Sequence, residues 1–245
     1  MGSRKQPRPT TADAGQVGGR RILVTGASSG IGAATAELLA AEGAVVGVHY
    51  HRKKAEAQKL IEKIRAAGGR AEGFEADLLS RDARARLVPE AIGRLGGLDG
   101  LVNNAGAVIG PVPFLELDET AWSQTFLLNV ESPFFLSQAA FKHMQKAGGG
   151  KIVNISSVGV KFGGSPRTLH YSAAKAALEG VTLGLAKAGA AHHILVNVIR
   201  PGVIETPFHA IKSRQEWEAR VQQIPLKRPG TPLDVARMAL FLLSP

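Results

Sequence analysis

At 245 residues, 44% of them hydrophobic and 20% charged, the chain is long enough for one large domain with a buried core; it has no cysteine, which excludes disulfides, thiolate metal sites and cysteine nucleophiles. The formal net charge of +10 raises nucleic acid as a partner, yet Arg4, Lys5, Arg8, Arg20 and Arg21 cluster near the start and the other cations are spread without a basic block interleaved with aromatics. No uncharged apolar run approaches the roughly 18 residues of a membrane helix and no apolar signal core opens the chain, so we expect no nucleic-acid partner, no membrane partner and a cytoplasmic location.

Residues 1–19 are rich in Pro, Gly, Thr and Arg, and they read as a flexible basic extension ahead of a single domain over 20–245. The run 21–24 suits a short buried strand. It leads directly into Thr25-Gly26-Ala27-Ser28-Ser29-Gly30-Ile31-Gly32 and then an alanine-rich helix to residue 42. Strand, glycine turn and helix together form a phosphate cradle: the glycines permit a tight turn and close backbone approach, and the first N–H groups of the helix point at the ligand. An ordinary glycine-rich turn has a similar composition. The spacing is G-x-x-x-G-x-G and so departs from G-x-G-x-x-G.

A second strand, 44–48, ends in His49-Tyr50-His51-Arg52-Lys53-Lys54, with no acid before Glu56. A carboxylate here would serve the ribose hydroxyls of NAD, whereas a cation accommodates the 2′-phosphate of NADP. His51, Arg52 and Lys53 are therefore expected to bind that phosphate, with NADP(H) preferred and NAD(H) possible. The same residues could instead begin a solvated helix over 52–67. A third strand near 70–76 ends in Asp77-Leu78, where the carboxylate could accept from an adenine amino group and Leu78 could cover the ring. Asp77 could equally be a turn or N-cap residue. A helix over 80–95 and a strand over 98–102 follow, ending in Asn103-Asn104-Ala105-Gly106. Strands and helices that alternate in this way predict a doubly wound, mainly parallel α/β sheet.

One long helix is expected over 120–147. Pro133 lacks an N–H, which leaves the carbonyl of Asn129 without its i+4 donor. A strand over 151–155 presents Ser156 and Ser157, and Tyr171-Ser172-Ala173-Ala174-Lys175 then falls in a helical stretch. Residues four apart share a helix face, so the ammonium can act on the phenol. Moving a phenol from about 10 to about 7 needs roughly 4 kcal/mol, much of which one cation in a poorly solvated cleft could supply. A strand over 194–199 leads to Pro201-Gly202. Residues near 203–228 read as a substrate lobe with apolar Phe208, Ile211, Trp217 and Ile224 and basic Lys212, Arg214, Arg220, Lys227 and Arg228, although a solvated helix face explains those charges as well. A last helix spans 232–243.

Taken jointly, Thr25-Gly26-x-x-x-Gly30-Ile31-Gly32, Asn103-Asn104-Ala105-Gly106, Ser157, Tyr171-x-x-x-Lys175 and Pro201-Gly202 resemble, in order and spacing, the short-chain dehydrogenase/reductase family over about 20–245. The resemblance implies a Rossmann-type oxidoreductase of carbonyls and alcohols, with Asn129, Ser157, Tyr171 and Lys175 catalytic and no metal. Its cofactor contacts would come from Gly26, Ser28, Ser29, Gly30, Ile31 and Gly32, from Asn104, Ala105 and Gly106, and from Tyr171, Lys175, Pro201, Gly202, Ile204 and Thr206. Asn129 would anchor a water in a proton relay, and Ser157 would hold the substrate oxygen, with Ser156 a second candidate. The Ser157 to Tyr171 spacing of 14 is one longer than much of the family, and the loop 158–170 absorbs it. The family also implies a homodimer or homotetramer and a further strand after 232–243, which is expected to be missing here and to leave 194–199 at an open edge. A 3-oxoacyl-thioester reductase acting on an acyl carrier protein and a cofactor-binding regulator without turnover are the competing expectations. A pteridine reductase, suggested by His49-Tyr50-His51-Arg52, fits less well, because that subgroup places a carboxylate where Ser157 stands.

Overall fold

The computed structural model describes residues 15–207 and 213–245. Residues 1–14, and with them most of the expected extension, lie outside the described residues, as do Phe208, Ile211 and Lys212 of the expected lobe. Packing begins earlier than the composition suggests. Val17 is only 1% exposed, and its amide donates to the carbonyl of Glu42 at 3.3 Å. One apolar residue among glycines is enough to seat this segment against the end of the first helix.

Six parallel strands form the sheet: β1 (Arg21–Val24), β2 (Val45–Tyr50), β3 (Arg70–Glu75), β4 (Gly100–Asn103), β5 (Gly150–Ile155) and β6 (Ile194–Ile199), in the order β3-β2-β1-β4-β5-β6. Alternate residues of each strand serve opposite layers. Ile22 and Val24 pack with α1 (Gly30–Ala41) and α2 (Lys54–Ala66), while Leu23 packs on the other side with Leu87 and Ala91 of α3 (Arg81–Leu95). Both faces are therefore covered and the inner strands read as apolar runs, whereas the edge strand β3 carries Arg70, Glu72 and Glu75. The chain winds outward from β1 through β2 to β3, then crosses back to β4 on the other side of β1. That reversal opens a crevice beyond the C-terminal ends of β1 and β4.

The expected long helix is two helices. α4 (Glu119–Phe126) and α5 (Ser132–Ala147) are joined by a π-helical turn over Leu127–Glu131 that contains Asn129. Pro133 follows closely on the π-helical turn, where its missing N–H leaves a carbonyl about one turn back without a helical donor. Ser132 sits at this register change, its buried hydroxyl 2.8 Å from the carbonyls of both Leu127 and Leu78, which share its one hydrogen. A short α6 (Gly159–Phe162) occupies the loop after β5, followed by α7 (Leu169–Gly189), α8 (Arg214–Gln222) and α9 (Pro232–Leu243). β6 is an edge strand with Leu195 exposed.

Candidate active site

The glycine turn sits at the mouth of the crevice, and its shape is enforced by neighbours. The Thr25 hydroxyl accepts from the amides of Asn104 and Ala105 at 2.9 and 3.0 Å, and the Asn104 amide donates to the carbonyls of Thr25 and Gly26 at 2.9 and 3.1 Å. The turn after β4 is thus riveted to the turn after β1. At position 32 a Cβ would stand 2.3 Å from the Gly26 carbonyl oxygen and 2.5 Å from the Asn104 amide nitrogen, so the helix start closes on the turn only with glycine there. A Cβ on Gly30 would meet the Thr206 methyl at 3.3 Å, which places the segment after β6 directly opposite the start of α1. The backbone cradle, the N-terminus of a twelve-residue helix and this facing segment suit a dinucleotide. Ser28, Ser29 and Ile31 are partly exposed around it.

The residues at the ends of β2 and β3 divide into two groups. Lys53 reaches back over the turn to the Ser29 hydroxyl at 3.5 Å, and Arg52 is exposed beside it. His51 instead faces Asp77, at 3.7 Å from Nδ1 to Oδ1. The other task of Asp77 is local, since its carboxylate accepts from the Leu79 amide at 3.0 Å, as a turn residue does. Leu78 is a core residue, buried with Phe74 and Leu87, and its carbonyl serves Ser132 and Arg84. Its side chain is taken up by packing in the core.

On the other side of the crevice the sequence-predicted quartet converges. Lys175, 2% exposed, donates to the carbonyl of Ile155 at 2.8 Å, and its ammonium stands 5.7 Å from the centre of the Tyr171 ring. The Ser157 hydroxyl hydrogen-bonds the Tyr171 phenol and accepts from the Gly159 amide at 3.1 Å. Asn129 donates to the carbonyls of Ala107 and Thr125, both at 2.9 Å, while its Oδ1 is buried with no partner among the described residues. A Cβ on Gly106 would lie 2.6 Å from that Oδ1 and 3.0 Å from Lys175 Nζ, so both atoms border one small space that the glycine keeps clear. The sequence points to the Asn129 backbone carbonyl; the structure adds its side-chain Oδ1 as a buried acceptor without a partner among the described residues.

Burial pushes the Tyr171 phenol up to about 12, with the Ser157 hydrogen bond acting the other way, and burial lowers Lys175 to about 8. The expected lowering of the phenol by Lys175 is absent from the protein alone. Desolvation outweighs the Ser157 hydrogen bond, and the phenol is protonated at neutral pH.

The Ser156 hydroxyl is engaged away from Tyr171. It donates to Glu179 at 2.6 Å, and Glu179 is clamped by Arg200, with Nε at 2.9 Å. Sequence reasoning missed this clamp, and also two tethers on the loop after β4: His170 bonds the carbonyl of Ile109 and Arg167 that of Pro111, each at 2.8 Å. It also missed the role of His49, whose ring bridges the Gly26 amide and the Ala76 carbonyl. Beyond β6, Val158 donates to the carbonyl of Pro201 at 2.8 Å, and Ile204 is buried in a bridge with Gly230. A pocket of about 350 Å³ lies between Gly202, Ile204, Leu226 and Arg228. Among the described residues no helix is long and apolar enough to cross a membrane.

With this geometry in hand, comparison with known proteins is direct. The sequence profile of short chain dehydrogenases matches residues 20–217. The chain is 39% identical over 229 residues to a 3-oxoacyl-acyl-carrier-protein reductase of Aquifex aeolicus, covering 92% of this chain and 90% of that one. It is 36% identical over 223 residues to the oxidoreductase YohF of Escherichia coli, covering 91% and 87%. Among solved structures, a short chain dehydrogenase of Burkholderia cenocepacia in complex with NADP superposes with a TM-score of 0.86 at 33% identity, over 94% of this chain and 92% of that one.

Proposed function

The chain belongs to the short-chain dehydrogenase family, and from that premise we propose that it is an NADP(H)-dependent oxidoreductase interconverting a ketone or aldehyde with its alcohol. The observation that carries this reading is the Ser157–Tyr171 hydrogen bond, with Lys175 and Asn129 meeting behind it at Gly106 and the dinucleotide cradle opposite. Residues 20–245 act as one catalytic domain, with the substrate lobe near 203–228.

The bound nicotinamide supplies the hydride in reduction and accepts it in oxidation. Tyr171, protonated at neutral pH, gives its proton to the substrate oxygen in reduction and takes it back in oxidation. Ser157 holds and polarises that oxygen from a position fixed by the Gly159 amide. Lys175 spends one N–H on Ile155 and keeps others for the ribose and for a proton path past Asn129. The glycine turn, Asn104, Ala105 and Gly106 hold the dinucleotide, while Ile204 and Thr206 hold the carboxamide end after the Pro201-Gly202 turn. Tyr171→Phe should lower turnover by at least about a hundredfold while NADPH binding stays near native; substantial residual turnover overturns the assignment.

The 2′-phosphate falls to Arg52 and Lys53, with His51 at their flank. Lys53 over Ser29, and the absence of an acid between His49 and Glu56, support that choice. A higher kcat/KM with NADH than with NADPH would reverse it. The substrate reading favoured second is a 3-oxoacyl thioester on an acidic carrier, because the lobe carries Arg214, Arg220, Lys227 and Arg228 and the Aquifex aeolicus relative bears that name. Following NADPH oxidation across ketones, quinones and acyl thioesters separates these readings from one another and from a regulator without turnover. A cytoplasmic homodimer or homotetramer completes the proposal, supported by Trp122 and Phe135, 41% and 43% exposed on adjacent helices; a monomeric sedimentation coefficient would refute the assembly.

A further inference from the structure

His49 lies on β2, with β1 and β4 between it and the β5 strand that leads to Ser157; it is 2% exposed and ties down the dinucleotide end of the crevice. Its Nδ1 accepts from the Gly26 amide at 3.0 Å and its Nε2 lies 3.1 Å from the carbonyl of Ala76. Chemistry assigns the tautomer. A backbone N–H can only donate and a carbonyl can only accept, so Nδ1 is bare, Nε2 carries the hydrogen and the ring is neutral. An imidazolium would set an N–H against the Gly26 N–H. In keeping with this, burial lowers His49 to about 4.

The backbone repeats the pattern. The His49 carbonyl accepts from Ala27 at 2.8 Å, and the neighbouring Tyr50 carbonyl accepts from Ala76 at 3.0 Å. The amides of Gly26 and Ala27 are therefore both consumed by one residue, and the turn presents its later amides to the crevice. Gly26 holds this place at φ +62°, a conformation that a bond to its N–H helps to select. At its other end the ring holds Ala76, the residue before Asp77.

We infer that His49 is a positioning residue for the dinucleotide: its neutral imidazole, without touching the cofactor, bolts the first glycine of the turn to the end of β3 and so sets the affinity of the cradle. This rests on the dinucleotide reading above. A buried histidine kept only for packing would behave differently, because the two bonds can be removed separately. Asparagine places an acceptor close to the Nδ1 position and gives up the bond to Ala76; glutamine places a donor close to Nε2 and gives up the bond to Gly26.

The test is NADPH and NADH titration of the native chain and of His49→Asn, His49→Gln and His49→Leu, with kcat at saturating cofactor and amide hydrogen exchange at Gly26. The expected result is near-native affinity for His49→Asn, affinity about tenfold or more weaker for His49→Gln and His49→Leu, and kcat little changed throughout, since a buried N–H left without its acceptor costs the turn on the scale of one such fold-change. Gly26 exchange should stay slow in His49→Asn and quicken in His49→Gln. Equal affinity in the Asn and Gln variants, or unchanged Gly26 protection in His49→Gln, overturns the inference. If His49→Leu does not fold, the Asn and Gln pair decides alone. Tighter binding of NADH by the native chain would defeat the 2′-phosphate reading and leave the ranking of variants to be read on NADH; binding of neither would defeat the dinucleotide reading, with Gly26 exchange still judging His49.

Discussion

At the scale of single residues, the site sets burial against charge. Lys175 is held at about 8, below the 10.5 of a solvated lysine, so between those values the unfolded chain binds a proton that the native protein does not. Stability must therefore rise with pH through that window, and below about 8 this lysine opposes folding by about 3 kcal/mol. Lys175→Met should raise the melting temperature near neutral pH and flatten the gain between 8 and 10.5, as thermal melts across pH would record, while abolishing turnover. Gly106 is the complementary case, where a missing atom matters. Gly106→Ala places a methyl at 2.6 Å from Asn129 Oδ1 and 3.0 Å from Lys175 Nζ, and kcat should fall by about tenfold to a hundredfold with the fold intact. Native kcat in this variant would show that the space is idle.

At the scale of elements, the join between α4 and α5 decides where Asn129 points. A continuous α-helix reads naturally from the apolar pattern over 120–147, and Pro133 reads as a break within it. The protein instead changes helical register over Leu127–Glu131 and uses the proline in the first turn of the next helix. No local residue preference specifies that; the buried Ser132 hydroxyl supports it, by bridging Leu127 of the π-helical turn and Leu78 of another segment. Ser132→Ala should lower stability in urea by about 1–2 kcal/mol and reduce kcat more than it raises the KM for NADPH, because the register of Asn129 loosens while the cradle stays. An unchanged kcat would detach the π-helical turn from catalysis.

At the scale of the whole molecule, the order β3-β2-β1-β4-β5-β6 brings the glycine turn, the Asn104 turn, Ser157 and Thr206 to one edge of the sheet from distant parts of the chain. A ligand lodged there touches elements from both halves and stabilises them together. NADPH at a hundred times its Kd should add about 2.7 kcal/mol and raise the melting temperature by several degrees, with NADH at the same concentration giving less. Equal shifts from the two cofactors would remove Arg52 and Lys53 from the 2′-phosphate.

Much of this was legible in the sequence itself. Apolar runs and glycine turns specified which segments are strands and where the chain turns tightly between them, since strand period and positive φ are local properties. Tyr171 and Lys175 were legible because four residues along a helix is a fixed distance. What needed the tertiary structure was every choice among equivalent polar groups. Ser156 and Ser157 are adjacent and alike until Glu179, from another helix, claims one of them. The Asn129 side chain has no fixed direction until Ala107 and Thr125 engage its amide nitrogen and leave Oδ1 bare. His49 carries no role in the sequence beyond ending a strand before a basic stretch, until Gly26 and Ala76 close on its ring and keep it neutral. Hydrogen-bond partners far apart in the chain carry no local signal, and burial, which sets the charge of Tyr171, Lys175 and His49, is a property of the packed whole.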